Sequence, residues 1–95
     1  MVTLVAILTA QPGKEAELAE VCAQLAKEVL FREEGCLMYI PHVAKNDPSE
    51  ITFFEKYKDQ QAFKAHGETV YFQEAAKKFK NLLTGPFQVK FLSEL

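Results

Sequence analysis

Two ionisable side chains stand in aromatic surroundings in the stretch FFEKYKDQQAFKAHGETVYF, which covers residues 53–72. Glu55 lies within a strand-like aromatic run, and His66 comes just before a second aromatic cluster. Carboxylates and imidazoles avoid apolar surroundings unless a partner satisfies them. The two side chains are therefore either solvated or line a cavity. In a cavity, a neutral imidazole could act as a general base, because its ordinary pKa lies near neutral pH.

Glu55 shares one side of a predicted strand with aromatic residues. Because side chains alternate along a strand, Ile51, Phe53, Glu55 and Tyr57 lie on one face of residues 51–57. Two interpretations are open. The carboxylate pairs with a neighbouring lysine or a tyrosine hydroxyl, or it anchors a polar group inside a cavity.

His66 and several aromatic residues complete the candidate site. His66 follows Phe63 by three residues on a short predicted helix, so both lie on the same side of it. The histidine is either a core or capping residue or a base facing a pocket, and the tyrosines either orient a ligand or complete the core. The candidate catalytic residues are His66 and Glu55. The candidate substrate-binding residues are Tyr39, Phe53, Tyr57, Phe63, Tyr71 and Phe72.

The composition indicates one globular domain, residues 1–95, with 48% apolar and 25% charged residues. A net charge of −2 with interspersed acids and bases provides no basic stripe for nucleic acid. No apolar run is long enough to cross a bilayer, and a signal peptide is lacking, so we expect a cytoplasmic protein without membrane contact. Cys22 and Cys36 fit as small buried residues, and the two histidines and two cysteines do not cluster as in a metal site.

The apolar pattern predicts the first two elements. Residues 2–9 are β-branched and apolar, which is typical of a central strand. Residues 14–32 carry an apolar stripe with helical spacing. Gly35 follows this helix at a position where a left-handed residue often ends a helix.

A hairpin is predicted next. Residues 36–44 and 51–57 have the composition of strands, and residues 45–50, KNDPSE, predict the turn between them. Pro41 favours an edge strand or a bulge, because proline cannot donate a ladder hydrogen bond.

Two short helices and a strand complete the fold. Asp59 and Thr69 are predicted to cap the helices, and residues 87–95 predict the strand. The order is β-α-β-β-α-β, with the second helix broken in two. This order predicts an α+β, ferredoxin-like fold, in which a four-stranded antiparallel sheet carries its helices on one face.

The other face of this sheet is predicted to need a cover, because its strands do not alternate cleanly between apolar and polar residues. In the first strand, Val5 and Ile7 oppose Leu4, Ala6 and Leu8. An exposed face of this kind would form a large apolar patch. We expect a homodimer in which two sheets pack face to face as a dimeric α+β barrel, with an apolar monomer as the alternative.

Two segments are together similar to a known family. EEGCLMY (residues 33–39), with an E-x-G-C pattern, precedes FFEKYKDQQAFKAHGET (residues 53–69), with an A-x-x-x-H-x-x-T pattern. In order and spacing these segments resemble the antibiotic biosynthesis monooxygenase family, and the resemblance covers nearly the whole chain. It implies a ferredoxin-like domain that dimerises through its sheets.

The resemblance also implies a function. The better-known members oxygenate phenols and quinols with dioxygen, without metal or flavin, and the match carries Glu55 and His66 over as site residues. Tyr71 stands where many members have a second histidine, and the absence of tryptophan counts against the haem-degrading branch. We therefore expect a cofactor-free monooxygenase acting on a small phenol or quinol.

Such a reaction needs a base in a dry cavity, because a phenol reacts slowly with triplet dioxygen until it is deprotonated. His66 would be the base, and Glu55 would orient His66 or a tyrosine. The expected cavity walls are Phe53, Phe54, Phe63, Phe72 and Phe79.

Two other functions are open. One is an isomerase of a small phosphorylated carbonyl sugar, for which Lys56, Lys58 and Lys64 could bind the phosphate. The other is a non-catalytic dimer that binds an aromatic ligand, since one fold hosts many functions.

Overall fold

Four antiparallel strands and three helices make up the computed structural model, which describes residues 1–95. The strands run in the order β2-β3-β1-β4 across the sheet. This arrangement confirms the predicted α+β, ferredoxin-like fold and the division of the second helix. The elements are β1 (Val2–Thr9), α1 (Glu15–Arg32), β2 (Cys36–Ala44), β3 (Asp47–Tyr57), α2 (Gln60–Gly67), α3 (Val70–Leu82) and β4 (Gln88–Leu92).

The strand β1 lies at the centre of the sheet, between β3 and β4, as its sequence predicts. Its side chains alternate: Leu4, Ala6 and Leu8 are buried beneath the helices, while Val5 and Ile7 are half-buried on the opposite side. We call these two sides of the sheet the inner face and the outer face. The apolar residues of the outer face are Val5, Ile7, Met38, Ile40, Phe54 and Leu92.

The helix α1 packs on the inner face through a stripe that includes the buried Cys22. Cys36, at the start of β2, is buried as well, so both cysteines occupy the core positions expected from the sequence. Burial raises the pKa of each thiol to about 12, and both are therefore protonated at neutral pH.

The end of α1 differs from the prediction. Gly13, before α1, is the residue with a positive φ, whereas Gly35 has none, so Gly35 does not end the helix in a left-handed conformation. Its role is steric instead, because a Cβ atom at this position would lie 2.7 Å from Cβ of Ala62. Glycine thus allows the turn before β2 to approach α2 closely.

The hairpin has a shorter turn than predicted. The strand β3 begins at Asp47, which pairs with Ala44, and the turn is confined to residues 45–46. The predicted turn residues therefore extend the strand. As the proline in it indicates, β2 is an edge strand, and an irregularity between Cys36 and Met38 turns both Cys36 and Tyr39 inwards.

Both predicted helix caps are present. The Asp59 side chain accepts a hydrogen bond from the Ala62 amide at 2.8 Å, and Thr69 Oγ1 accepts one from the Phe72 amide at 3.3 Å. These caps set where α2 and α3 begin. No helix of the protein combines the length and apolar character needed to cross a membrane.

Candidate active site

A cavity of about 280 Å³ lies between the inner face of the sheet and the helices α2 and α3. Most of its wall is apolar and comes from all four strands and both helices. The apolar wall residues are Leu4, Ala6, Leu8, Phe53, Phe63, Phe72, Phe79, Phe87 and Val89. The polar or ionisable groups that reach it are Tyr39, Glu55, Lys64 and His66.

The imidazole of His66 is held on several sides. His66 is only 4% exposed, and the centroid of its ring lies 4.7 Å from that of Phe72, 5.1 Å from that of Tyr39 and 5.4 Å from that of Tyr57. The hydroxyl of Thr69 donates a hydrogen bond to the His66 carbonyl at 2.9 Å, which joins the end of α2 to the cap of α3. The ring is therefore fixed in position against the cavity.

The partner of His66 is Glu33, a residue that the sequence analysis did not select. Both carboxylate oxygens of Glu33 lie within hydrogen-bond distance of His66 Nδ1, at 3.1 and 3.2 Å. The Tyr71 hydroxyl donates a further hydrogen bond to the same carboxylate. Glu33 directly follows α1 and begins the E-x-G-C pattern, which was the one signal in the sequence that could have identified it.

This pairing assigns the tautomer of His66. A carboxylate can only accept a hydrogen bond, so Nδ1 carries the proton of the neutral ring and Nε2 keeps its lone pair. Nε2 has no hydrogen-bond partner in the protein. Every fully buried side-chain nitrogen or oxygen of the protein does have a partner, so Nε2 is not fully buried. Nε2 therefore borders open space, and the space that His66 lines is the cavity.

Glu55 is the buried acid of the cavity wall. It is 5% exposed and accepts a hydrogen bond of 2.7 Å from the Tyr57 hydroxyl through Oε1, while Oε2 has no protein partner. Burial raises the pKa of Glu55, although the Tyr57 hydrogen bond and the nearby His66 both act to lower it. Glu55 therefore holds a proton to higher pH than an exposed glutamate does.

Tyr39 adds a hydroxyl donor beside these two groups. It lies opposite Glu55 in the β2–β3 ladder, is 3% exposed and has no hydrogen-bond partner for its hydroxyl. Burial and the charge of Glu55 raise the pKa of this phenol, so it remains protonated. Nε2 of His66, Oε2 of Glu55 and the Tyr39 hydroxyl are thus available to one small ligand with polar substituents.

Most of the predicted substrate-binding residues do line the cavity, namely Tyr39, Phe53, Phe63 and Phe72. Tyr57 and Tyr71 do not, because their hydroxyls are used to bind Glu55 and Glu33. Phe54, expected in the cavity wall, lies on the outer face, since it alternates with the inward-facing Phe53. Of the two partners suggested for Glu55, it forms a hydrogen bond with a tyrosine, Tyr57, and none with His66, which binds Glu33.

The three lysines considered for phosphate binding are not brought together. Lys56 pairs with Glu94 at 2.9 Å on the outer face, and Lys58 lines a separate cleft near Gly35. Only Lys64 borders the cavity. No group of three or more His, Cys, Asp or Glu side chains is arranged to hold a metal ion.

Comparisons with known proteins agree with this fold. A family model described as "Antibiotic biosynthesis monooxygenase" matches residues 1–78. The protein named "Putative monooxygenase YcnE" from Bacillus subtilis (strain 168) is 32% identical over 89 residues, which cover 94% of this chain and 93% of that protein.

Solved structures are similar over nearly the whole chain. The crystal structure of PA3566 from Pseudomonas aeruginosa has a TM-score of 0.91 at 28% identity, covering 99% of this chain and 93% of that one. The structure of a "putative antibiotic biosynthesis monooxygenase" from Caulobacter crescentus CB15 has a TM-score of 0.91 at 32% identity, covering 99% and 89%. The match of sequence model, relative and fold leads to one conclusion: the chain belongs to the antibiotic biosynthesis monooxygenase family.

Proposed function

We propose that the protein is a cofactor-independent monooxygenase that transfers one oxygen atom of dioxygen to a small phenolic or quinol substrate. Its family supports a monooxygenase-like role. The observation that carries the finer proposal is His66, a buried imidazole whose Nδ1 is bound to Glu33 and whose Nε2 is free at an apolar cavity. That arrangement suits the removal of a proton from a phenol.

The proposed reaction begins at His66 Nε2, which accepts the proton of the substrate hydroxyl. The electron-rich phenolate then gives an electron to dioxygen, and the two radicals combine to form a carbon–oxygen bond at the ring. The oxygen–oxygen bond breaks, one oxygen remains as a quinone carbonyl and the other leaves as water. The substrate supplies all the electrons, so the reaction needs no external reductant.

Glu55 and Tyr39 are proposed to hold the oxygen substituents of the substrate. Tyr39 can donate a hydrogen bond to the developing phenolate, and a protonated Glu55 can do the same. The phenylalanine walls would exclude water and hold dioxygen, which is apolar, beside the ring. A cavity of about 280 Å³ is at the small end of ligand sites, which favours a substrate of one or two rings.

The proposal includes a homodimer formed through the outer face. Met38 and Ile40 on this face are 41% and 44% exposed, and Phe54 lies between Ile40 and Val5 in the ladders. An apolar sheet face of this kind is stabilised by a second copy related by a two-fold axis. The cytoplasmic location expected from the sequence likewise remains a proposal.

Oxygen uptake by metal-stripped protein tests this function. The substrates are benzenediols and dihydroxynaphthalenes, measured with chelator and against autoxidation in buffer. We expect uptake above autoxidation that falls about a hundredfold or more in His66→Ala, the usual loss when a general base is removed. His42→Ala is the control, because this second histidine lies on the outer face, away from the cavity; the mass of this variant by light scattering is compared with that of the native protein to exclude an effect on the proposed dimer.

The outcomes separate the alternatives. Uptake that disappears with chelator, or that is unchanged in His66→Ala, contradicts the proposal. Binding of these compounds without any turnover favours the non-catalytic reading of the cavity. The scattered placement of Lys56, Lys58 and Lys64 gives the sugar phosphate isomerase no observation in its favour.

A further inference from the structure

The cavity has a polar end and an apolar end. Glu55 and Tyr39 lie beside Leu4 on the sheet, whereas the opposite end is formed by Leu8 and Phe87. Leu8 follows Leu4 by four residue steps, which corresponds to about 13 Å at the usual rise of a β-strand. A single hydroxylated ring bound to the polar groups leaves the far end of this space unfilled.

A second space, which we call the α3 groove, adjoins the apolar end of the cavity. It has a volume of about 410 Å³ and lies between the end of α3 and the segment that leads into β4. Its wall includes Ala76, Leu83 and Pro86. Phe79 and Phe87 line both the cavity and the groove, so the two spaces adjoin at this pair of rings.

The rings of Phe79 and Phe87 separate the two spaces, and that of Phe87 is free to rotate. The Phe79 and Phe87 rings meet edge to face with centroids 6.5 Å apart, and Phe87 is 37% exposed. Phe87 precedes β4 and is not held by a strand ladder, whereas Phe79 is buried in α3. A rotation of the Phe87 side chain would therefore open a path from the cavity to the groove without moving the core.

We propose that the α3 groove binds an apolar side chain of the substrate, so that the physiological substrate is a phenol or quinol carrying an alkyl or alkenyl chain. This inference rests on the proposed function, because the hydroxylated ring is placed beside His66. The groove lies on the helical side of the sheet, so a dimer formed through the outer face leaves it open. Its only charged wall residue is Lys80, and the other wall residues offer a chain nothing but apolar contact.

The test measures binding of benzene-1,4-diol and its alkyl derivatives of increasing chain length by calorimetry, under nitrogen and without turnover. We expect the Kd to fall by up to roughly fourfold for each added methylene that is buried, until the groove is full. Binding that does not depend on chain length overturns the proposal.

Two variants of Ala76 test whether the alkyl chain of the ligand lies in the groove. This half-buried residue lines the groove and not the cavity, so neither substitution disturbs the core. Ala76→Glu adds a charge to the groove and Ala76→Leu fills it, and both should abolish the chain-length dependence while the unsubstituted diol binds as before. Gln73→Glu is the control, because it adds the same charge at an exposed position of α3 outside the groove.

The remaining outcomes distinguish this inference from the proposed function. Chain-length dependence that persists in both Ala76 variants, or a change of oligomeric state in Ala76→Glu, would show that the groove does not hold the chain. Turnover of short diols without any chain effect leaves the monooxygenase proposal standing and rejects the groove. Chain-dependent binding without oxygen uptake by any diol supports binding of a chain in the groove and rejects the monooxygenase proposal.

Discussion

At the scale of single residues, two acids with different surroundings serve the site: Glu55 lines the cavity, and Glu33 lies behind His66 outside the cavity wall. Glu33 sits behind His66 and is shared with the Tyr71 hydroxyl, at a position where its side chain retains 12% exposure. Glu55 is enclosed, bound to Tyr57, and its pKa is raised by burial. We propose that Glu33 orients the base and that Glu55 forms a hydrogen bond with the substrate, because Glu33 is bound to His66 and Glu55 lines the cavity.

The Glu33→Gln variant tests the orienting role. Glutamine can accept one hydrogen bond from Nδ1 but carries no charge to stabilise an imidazolium, so we expect kcat to fall at least about tenfold with little change in KM. Glu34→Gln is the matched control, because Glu34 is the adjacent exposed glutamate. Nitrogen chemical shifts of His66 report the tautomer directly. Nδ1 found without its proton in the neutral ring of the native protein would contradict the assignment.

The Glu55→Gln variant tests the raised pKa of Glu55. The folded protein retains this proton to higher pH than the unfolded chain, so ionisation of Glu55 lowers the free energy of unfolding as pH rises from about 4.3 through the folded pKa. Glutamine does not ionise, so Glu55→Gln removes this decrease in the free energy of unfolding. Urea unfolding at several pH values should therefore show a smaller decline of stability with pH in the variant.

The test depends on which protein, native or Glu55→Gln, loses more stability as pH rises. Both proteins contain the groups that surround Glu55, namely His66, Tyr39, Tyr57 and Glu33, so the difference reports on Glu55. A decline of stability that is steeper in the variant than in the native protein would mean that Glu55 is ionised more readily when folded.

The sequence predicted the cavity residues where local spacing was sufficient. Alternation along β3 placed Phe53 and Glu55 together, and helical spacing placed Phe63 beside His66. Glu33 was missed because it meets His66 across 33 residues of chain, and contacts of that range depend on how the turn after α1 meets α2 in the folded protein. Tyr57 and Tyr71 were placed in the cavity because a sequence does not reveal which hydroxyls already have partners.

At the scale of elements, the turn between α1 and β2 positions Glu33 beside α2. Gly35 lies against Ala62 and the Lys58 side chain, so the turn approaches the beginning of α2 closely. The sequence indicated a glycine at a helix end, which is commonly left-handed, but could not show that the reason was the neighbouring helix. The same limit applies to β3, whose residues 47–50 have turn-forming side chains and yet pair with β2 and β1.

The Gly35→Ala variant tests this close approach. Its Cβ would lie 2.7 Å from that of Ala62, so we expect a destabilisation of about 1 to 3 kcal/mol from overpacking. Thermal unfolding measures the change. Gly67→Ala is the control, because no atom lies within 4 Å of its added Cβ and its φ is not positive, and this substitution should cost nothing or stabilise α2 slightly. Equal effects at the two glycines would contradict the steric explanation.

At the scale of the whole molecule, the two faces of the sheet differ in what they contact. The inner face and the helices enclose the cavity, while the outer face presents apolar residues to its surroundings. The sequence predicted helices on one face of the sheet and apolar residues that need a cover on the other. Pairing of two copies through the outer face would hide its apolar surface and leave the cavity and the α3 groove accessible.

The Phe54→Glu variant tests the dimer. Phe54 projects from the outer face between Val5 and Ile40, so a charge there would oppose its copy in a two-fold interface. We expect light scattering to give the mass of a dimer for the native protein and of a monomer for the variant. Phe31→Glu is the control, because Phe31 is 85% exposed on α1 and should leave the mass unchanged. A native protein that is monomeric at micromolar concentration contradicts the proposed dimer.

We propose His66, oriented by Glu33, as the base of a monooxygenase that uses only its substrate and dioxygen. The most direct measurement is mass spectrometry of the product formed under ¹⁸O-labelled dioxygen by metal-stripped native protein and by His66→Ala. We expect one labelled atom in the quinone and one in water with the native protein, and product at the autoxidation level with the variant. A quinone without the label, or equal labelling by both proteins, would contradict this proposal.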